Sequence, residues 1–329
     1  MAVLLTGGTG FVGLNIVERL LTDGRDVIVA DAEPMPEAAQ AEFAALPGQL
    51  QTFQGDVRDA RFIQRVAAAP GIDAVIHAAA LTAGIAREEN DPGLIAEINL
   101  LGTIRVLQAA RQIGVKRVVV LSTGSVYGEA GTSGEAALEE MTPSPVPNNI
   151  YGITKYAAER TSLRLAELWG LDLRVGRPAV VFGPWERETG YRDAMSLVLQ
   201  ATRLAEDGGT LVLPPKSPED WIYAPDLAAA VVALLNAPKP ARPVYNLGTG
   251  HTWTLAAWCE RLQARYPNFS CGVADNPAQS TLKILSTSSM RAPFSARAVR
   301  DEIGFKPQYD LDKAFAHYLN WRSHHSAVP

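Results

Sequence analysis

Cysteine is almost missing from this chain. Cys259 and Cys271 are the only thiols among 329 residues, too few for a disulfide framework, so the fold has to be held by a buried core. A chain of this length folds as one large α/β domain or two lobes and hides roughly three quarters of its unfolded surface. Long apolar runs are missing too. The longest, Leu227 to Leu235, is about half the ~20 residues a membrane span needs and reads as a buried helix. An apolar strand beginning at residue 2 leads us to expect no cleavable signal peptide, and the expected location is the cytoplasm. Charge of one sign is scarce: the net charge is −5, with acids and bases interspersed. No basic stripe points to nucleic acid and no polybasic run to an anionic membrane, which leaves small molecules as partners. Histidine is sparse, and the adjacent His324 and His325 point apart on a helix with no third ligand placed to join them. We therefore expect no metal, and a solvated tail.

Glycine, by contrast, is concentrated at the start. Val3-Leu4-Leu5 runs into Thr6-Gly7-Gly8-Thr9-Gly10-Phe11-Val12-Gly13 and then into a helix with Leu14, Val17, Leu20 and Leu21 on one face. A diphosphate is held best where bare backbone NH groups and the positive end of a helix dipole converge, and glycine lets the backbone approach that closely. Tight turns also collect glycine for steric reasons alone. Here the turn follows a buried strand, opens a helix that stops at Asp23-Gly24, and is followed by a strand, Asp26 to Ala30, ending in Asp31. That context favours a dinucleotide site. Asp31 is placed to accept bonds from both adenosine ribose hydroxyls, or else it shapes a turn. No Lys or Arg between Ala32 and Pro36 would neutralise a 2′-phosphate, which favours NAD over NADP.

Further strands follow in alternation with helices: one ending at Thr52-Phe53, then Asp73 to His77 and Arg117 to Leu121, with helices over Ala60 to Ala69 and Glu97 to Gly114. This order predicts a doubly wound parallel sheet of Rossmann type, with ligand at the strand carboxyl ends. Asp56, before the first of these helices, either bonds the adenine amino group or caps the helix. Ala78-Ala79-Ala80 after the fourth strand either lets a flat ligand lie on the backbone or simply packs. His77 reads as a structural histidine. Ser122-Thr123-Gly124-Ser125 comes off the fifth strand, and a polar loop over Glu129 to Asn149 delivers the chain to Tyr151 and Lys155. These two share a helix face. An ammonium beside a tyrosine favours phenolate, so Lys155 tunes Tyr151 as a proton carrier while Thr123 bonds the substrate oxygen.

These residues resemble the extended short-chain dehydrogenase/reductase superfamily, in particular the NAD-dependent epimerase/dehydratase family. The resemblance is carried by Thr6-Gly7-x-x-Gly10-x-x-Gly13, Asp31, Asp56-Val57, His77-x-Ala79-Ala80, Asn99, Ser122-Thr123-x-x-Val126-Tyr127-Gly128, Tyr151-x-x-x-Lys155, Arg177-Pro178, Phe182-Gly183-Pro184, Asp220-Trp221-Ile222-Tyr223-x-x-Asp226 and Tyr245-Asn246-Leu247-Gly248. It implies a dinucleotide-binding domain over residues 1–178, joined again by 221–248, and a smaller substrate lobe from 179–220 and 249–329. It also implies NAD contacts from Gly7, Gly10, Phe11, Val12, Gly13, Asp31, Asp56, Val57, Ala78, Ala79, Ala80, Asn99, Tyr151, Lys155, Pro178 and Val181. Substrate contacts would come from Thr82, Thr123 and Ser125. Relatives commonly form homodimers through the helices that are Glu97 to Gly114 and Tyr151 to Trp169 here.

Two departures bear on the reaction. Related 4,6-dehydratases carry an Asp-Glu pair after the catalytic threonine, where this chain has Gly124-Ser125. Many nucleotide-sugar relatives carry an arginine before the Asp-aromatic pair, where this chain has Glu219. An acid there repels a diphosphate. On that ground the sequence favours a dehydrogenase of a sugar, sugar acid or polyol without a nucleotide, gripped by Arg187 and Arg192 unless these pair with neighbouring acids. The alternatives are an epimerase of nucleotide sugars with bound NAD, and a non-catalytic NAD sensor. Arg177, Arg291 and Arg297 are further candidates to replace the missing clamp.

Overall fold

The structure is a computed structural model that describes residues 1–132, 136–141, 144–213, 218–238, 240–276, 279–283 and 292–325. Its first half alternates strands, most of them buried, with helices that mostly bury one side. The strands are β1 (Ala2–Thr6), β2 (Asp26–Asp31), β3 (Leu50–Gln54), β4 (Ile72–His77), β5 (Arg117–Leu121) and β6 (Leu173–Pro178). The helices are α1 (Phe11–Thr22), α2 (Glu37–Phe43), α3 (Ala60–Ala67), the short α4 (Ile85–Asn90) and α5 (Pro92–Ala96), α6 (Thr103–Ile113) and α7 (Ile150–Trp169). The chain then leaves the sheet through β7 (Val180–Phe182), α8 (Leu197–Glu206), β8 (Thr210–Leu213), β9 (Pro218–Glu219) and β10 (Trp221–Tyr223). It crosses back along α9 (Ala224–Asn236) and re-enters as β11 (Val244–Leu247).

The seven-stranded sheet runs β3-β2-β1-β4-β5-β6-β11, with every pair parallel. The order reverses between β1 and β4, so the connections leave in opposite directions there and a crevice opens at the carboxyl ends. β1 is buried along its whole length because helices cover both faces of the sheet. One face packs α1 and α9 around Val3, Leu5, Leu20 and Val231; the other packs α3 and α6 around Leu4, Val75, Val118 and Leu107. Truncating a fully buried leucine such as Leu20 to alanine costs about 2–5 kcal/mol.

Beyond the sheet, β12 (Trp253–Thr254), α10 (Leu255–Arg265), β13 (Ser270–Val273), α11 (Arg297–Ile303) and α12 (Leu311–His324) complete the chain. A third core joins α8, α10, α12 and the β8–β13 pair around Phe182, Trp258 and Tyr318. Not all of the late chain lies there: Phe294, Ala298, Val299 and Phe305 pack into the core on the α9 side of the sheet. β10 likewise pairs with β7 in a separate two-stranded sheet rather than with the main one.

Three local expectations change. The segment predicted as one helix from Glu97 is wound as a π-helix over Glu97–Gly102 before α6 begins. The Thr103 hydroxyl donates to the Asn99 carbonyl at 2.7 Å, a local bond that competes with regular helix pairing. Together with α5, this 22-residue run is apolar and long enough to cross a membrane by composition, yet half of it is buried, as in a core helix. The cap of α3 is Asp59, which accepts from Arg61 N, and not Asp56. The tail is not simply solvated: His325 stacks on Trp321 at 4.1 Å and bonds Glu42.

Candidate active site

The crevice is framed by the turn between β1 and α1. Gly7 has φ +77, a conformation that disfavours any side chain, and a Cβ on it would lie 2.4 Å from Ala79 N. A Cβ on Gly13 would lie 1.9 Å from Gly7 O, so the helix start packs directly on the turn. On the open side, a Cβ at Gly10 meets only Gly7 O at 3.4 Å, so any side chain there would fill the space above the turn. That bare cradle fits a dinucleotide diphosphate.

A cavity of about 380 Å³ runs from this turn to the far lobe. It is lined by Gly7, Gly10, Phe11, Val12, Gly13, Ala78, Ala80, Thr82, Thr123, Ser125, Tyr151, Lys155, Pro178, Val181, Arg187 and Arg192, all of them expected from the sequence. A smaller space of about 80 Å³ adjoins it, lined by Asp31, Asp56, Val57 and Ala79. Asp31 ends β2 with its carboxylate accepting Thr9 N at 2.9 Å and Glu33 N at 3.2 Å. It therefore shapes the turn and also lines the smaller space. Burial works to raise the Asp56 carboxyl, but its bonds to Arg58 hold it below the usual range.

The proton-handling residues come from β5 and α7. Asn149 caps α7 by accepting Gly152 N at 2.7 Å, and Glu88 accepts Ile150 N at 2.6 Å, so the first turn carrying Tyr151 is fixed at both donors. Thr123 accepts Ser125 N at 3.1 Å. Lys155 is buried and donates to Leu121 O at 2.6 Å. Burial pushes its ammonium down to about 8, against the pull of Glu159. His77 lies beneath, between the Thr6 and Thr103 hydroxyls at 2.7 and 2.8 Å, and burial with the nearby Lys155 charge drives it down to about 3. It is a neutral structural histidine.

Several named residues do other work. Asn99 lines neither cavity; its amide accepts Leu81 N at 2.8 Å and donates to Leu81 O at 3.0 Å, holding the chain that leaves β4. It is buried within the π-turn and fixes the backbone at Leu81. Arg177 is buried against Glu159 at 2.6 Å, with its guanidinium also on Tyr127 and the Glu140 carbonyl. Arg297 is exposed beside Glu139 at 3.4 Å, so neither arginine lines the cleft, and Arg291 lies outside the described residues. Asp220 holds Thr249 N and Phe294 N, and Asp226 holds Gln308 N and Tyr309 N, so that motif pins loops. The exposed Leu101 lies on the π-turn, and the exposed Ile153 and Leu168 lie on α7.

The lobe side pairs one expected arginine with a neighbouring acid, as the sequence allowed, and adds residues the sequence did not single out. Arg192 pairs at 3.2 Å with Glu186, a buried carboxyl that burial raises and that Ser196 also bonds, and it lies over the Phe11 ring at 5.3 Å. Arg187 donates to Thr9 O at 3.0 Å. Thr189 and Tyr191 line both cavities, and Lys283 lines the larger. No spacing in the sequence marks these, since tertiary folding alone brings them to the glycine turn.

A doubly wound sheet whose crevice sets a Tyr-x-x-x-Lys helix and a threonine against a glycine turn defines an enzyme of the extended short-chain dehydrogenase type. Residues 3–248 match the model of the NAD dependent epimerase/dehydratase family, and the chain belongs to that NAD-dependent family. Among curated relatives it is 27% identical to the UDP-glucose 4-epimerase of Lacticaseibacillus casei, covering 99% of this chain and 98% of that one. It is 26% identical to the dTDP-glucose 4,6-dehydratase of Mycolicibacterium smegmatis, covering 98% and 93%. Among solved structures it resembles the UDP-glucose 4-epimerase of Thermus thermophilus in complex with NAD, at 27% identity and a TM-score of 0.80, covering 99% and 100%.

Proposed function

We propose that this protein epimerises a sugar carried on a nucleoside diphosphate, with NAD kept in the cleft through the cycle. The observation that carries this reading is the continuous cavity joining the glycine turn, Thr123, Tyr151 and Lys155 to a lobe wall with Arg192 and Lys283. Bound NAD supplies a two-electron acceptor and donor beside the sugar carbon. Tyr151 takes the proton of the sugar hydroxyl and later returns it. Thr123 holds the same oxygen, and Lys155 brings a cation to the cavity that Tyr151 lines. Hydrogen taken from a carbon and returned to its opposite face inverts that centre with no net redox change. No further acid–base pair is needed, which suits Gly124-Ser125 in the place of the dehydratase acids.

This reading replaces the preference for a nucleotide-free sugar that rested on Glu219. The Glu219 backbone pairs with Trp253, the residue is engaged within the protein, and two cations share its cavity wall. Its charge is therefore not what a diphosphate meets alone. Several curated relatives with full-length matches act on nucleotide sugars by name, and a sterol-4-alpha-carboxylate 3-dehydrogenase matches over the full length as well. The test is incubation with UDP-, dTDP- and GDP-sugars without added NAD, followed by NMR of the sugar and absorbance of NADH. An epimer ratio moving to equilibrium with no NADH supports the reading. Stoichiometric NADH with a keto product would restore the dehydrogenase.

A further inference from the structure

The segment after β7 crosses the cleft under constraint at both ends. It is launched by Trp185, a fully buried residue with φ 65 whose indole donates to Glu18 at 2.8 Å. Arg187 then reaches Thr9 O in the glycine turn at 3.0 Å. At the far end Thr82 N donates to Tyr191 O at 2.9 Å, and Asp193 N donates back to Thr82 O at 3.2 Å. The Asp193 carboxylate accepts Gly84 N at 2.8 Å and grips Arg87 at 2.6 Å, while Arg87 also donates to Gly190 O at 3.2 Å. Between these anchors Thr189 and Tyr191 lie on the adenosine side of the cleft.

Arg187 itself is half-buried and incompletely satisfied. Its Nε is buried with no hydrogen-bond partner among the described residues. A guanidinium withdrawn from water with a donor unmet is costly unless an anion arrives. The nearby acids Asp31 and Glu33 attract it, but among the described residues no ion pair joins it to either. The diphosphate cradle of the turn is the adjacent place for that anion.

We propose that Arg187 to Asp193 form a strap over the dinucleotide, in which Arg187 is a diphosphate ligand and the Asp193–Arg87 clasp must open for the cofactor to leave. This moves Arg187 from the substrate to the cofactor. It deepens the proposed function, since a strapped cofactor is one retained through the cycle, but its test uses no sugar and so stands or falls separately.

The experiment measures binding of NAD and of adenosine, and the rate of NAD release, on the full chain. Arg187→Gln is expected to weaken NAD at least tenfold and leave adenosine within twofold, because adenosine has no diphosphate. Arg187→Lys should recover part of the loss. Asp193→Asn should speed NAD release at least tenfold with an unchanged circular dichroism spectrum. Equal weakening of NAD and adenosine by both Arg187 variants would make the residue merely structural and overturn the assignment, as would unchanged NAD affinity. An unchanged release rate in Asp193→Asn would overturn the clasp.

Discussion

The sheet side of the cleft and the lobe side teach different lessons about how a site is encoded. On the sheet side most lining residues outside α7 sit at, or within a few positions of, a strand's carboxyl end: Gly7 after β1, Asp31 in β2, Ala78 after β4, Thr123 after β5 and Pro178 in β6. Strand, turn and helix fix them locally, and they converge because parallel strands end on one edge. On the lobe side, Arg187 and Arg192 come from one segment after β7, Glu219 from a two-residue strand and Lys283 from a further loop, tied down largely by long-range bonds. The first side is suited to constant chemistry. The second can change its contacts without disturbing the sheet, as expected where substrate choice resides.

The sharpest way to break this comparison is on the sheet side. Tyr151→Phe should lower turnover by ~10² to 10⁴, the range for a positioned acid or base, with NAD content of the purified protein unchanged. Retained activity in steady-state assays on a confirmed substrate would remove Tyr151 from the centre of the mechanism. A smaller effect is expected at Asp31. NAD should bind at least tenfold tighter than NADP, a difference of about 1.4 kcal/mol, and Asp31→Ala should narrow that gap in calorimetry. Equal wild-type affinities would leave Asp31 with its turn role alone.

A further effect concerns stability rather than activity and follows from Lys155. The unfolded chain keeps this proton up to about 10.5, whereas burial makes the folded chain release it near about 8. Between those values the unfolded state binds more protons, so stability rises with pH through that window, by at most about 1.4 kcal/mol per unit. Below it the folded state bears the full cost of the buried charge. Melts of wild type and Lys155→Met from pH 7 to 10.5 should show this rise in the wild type only. Parallel profiles would mean that the ammonium is solvated.

Legibility followed the same division. β5 begins and ends where the sequence placed it, and Tyr151 and Lys155 face the glycine turn, because strand patterning and helical spacing are local signals. Asn99 could not be placed from spacing, since its amide bonds Leu81, which the fold brings to it from just beyond the end of β4. Arg177 reads as a candidate for the missing clamp until the fold supplies Glu159 from α7 as its partner. Trp185, a bulky residue in a glycine-like conformation, leaves no mark at all, for its φ is sustained by Glu18, Phe43 and Trp321 from distant parts of the chain.

The indoles of the lobe have an optical consequence. Trp221 lines the cleft and stacks on Trp253 at 5.0 Å, which in turn stacks on Trp258 at 5.9 Å. Reduced nicotinamide absorbs in the region where indoles emit, so a chromophore generated in the cleft would quench this array by energy transfer. The protein thus carries its own reporter on the wall that meets the substrate. A dip that recovers within each turnover and one that persists until product departs would be distinguished in a single fluorescence trace, with no label attached.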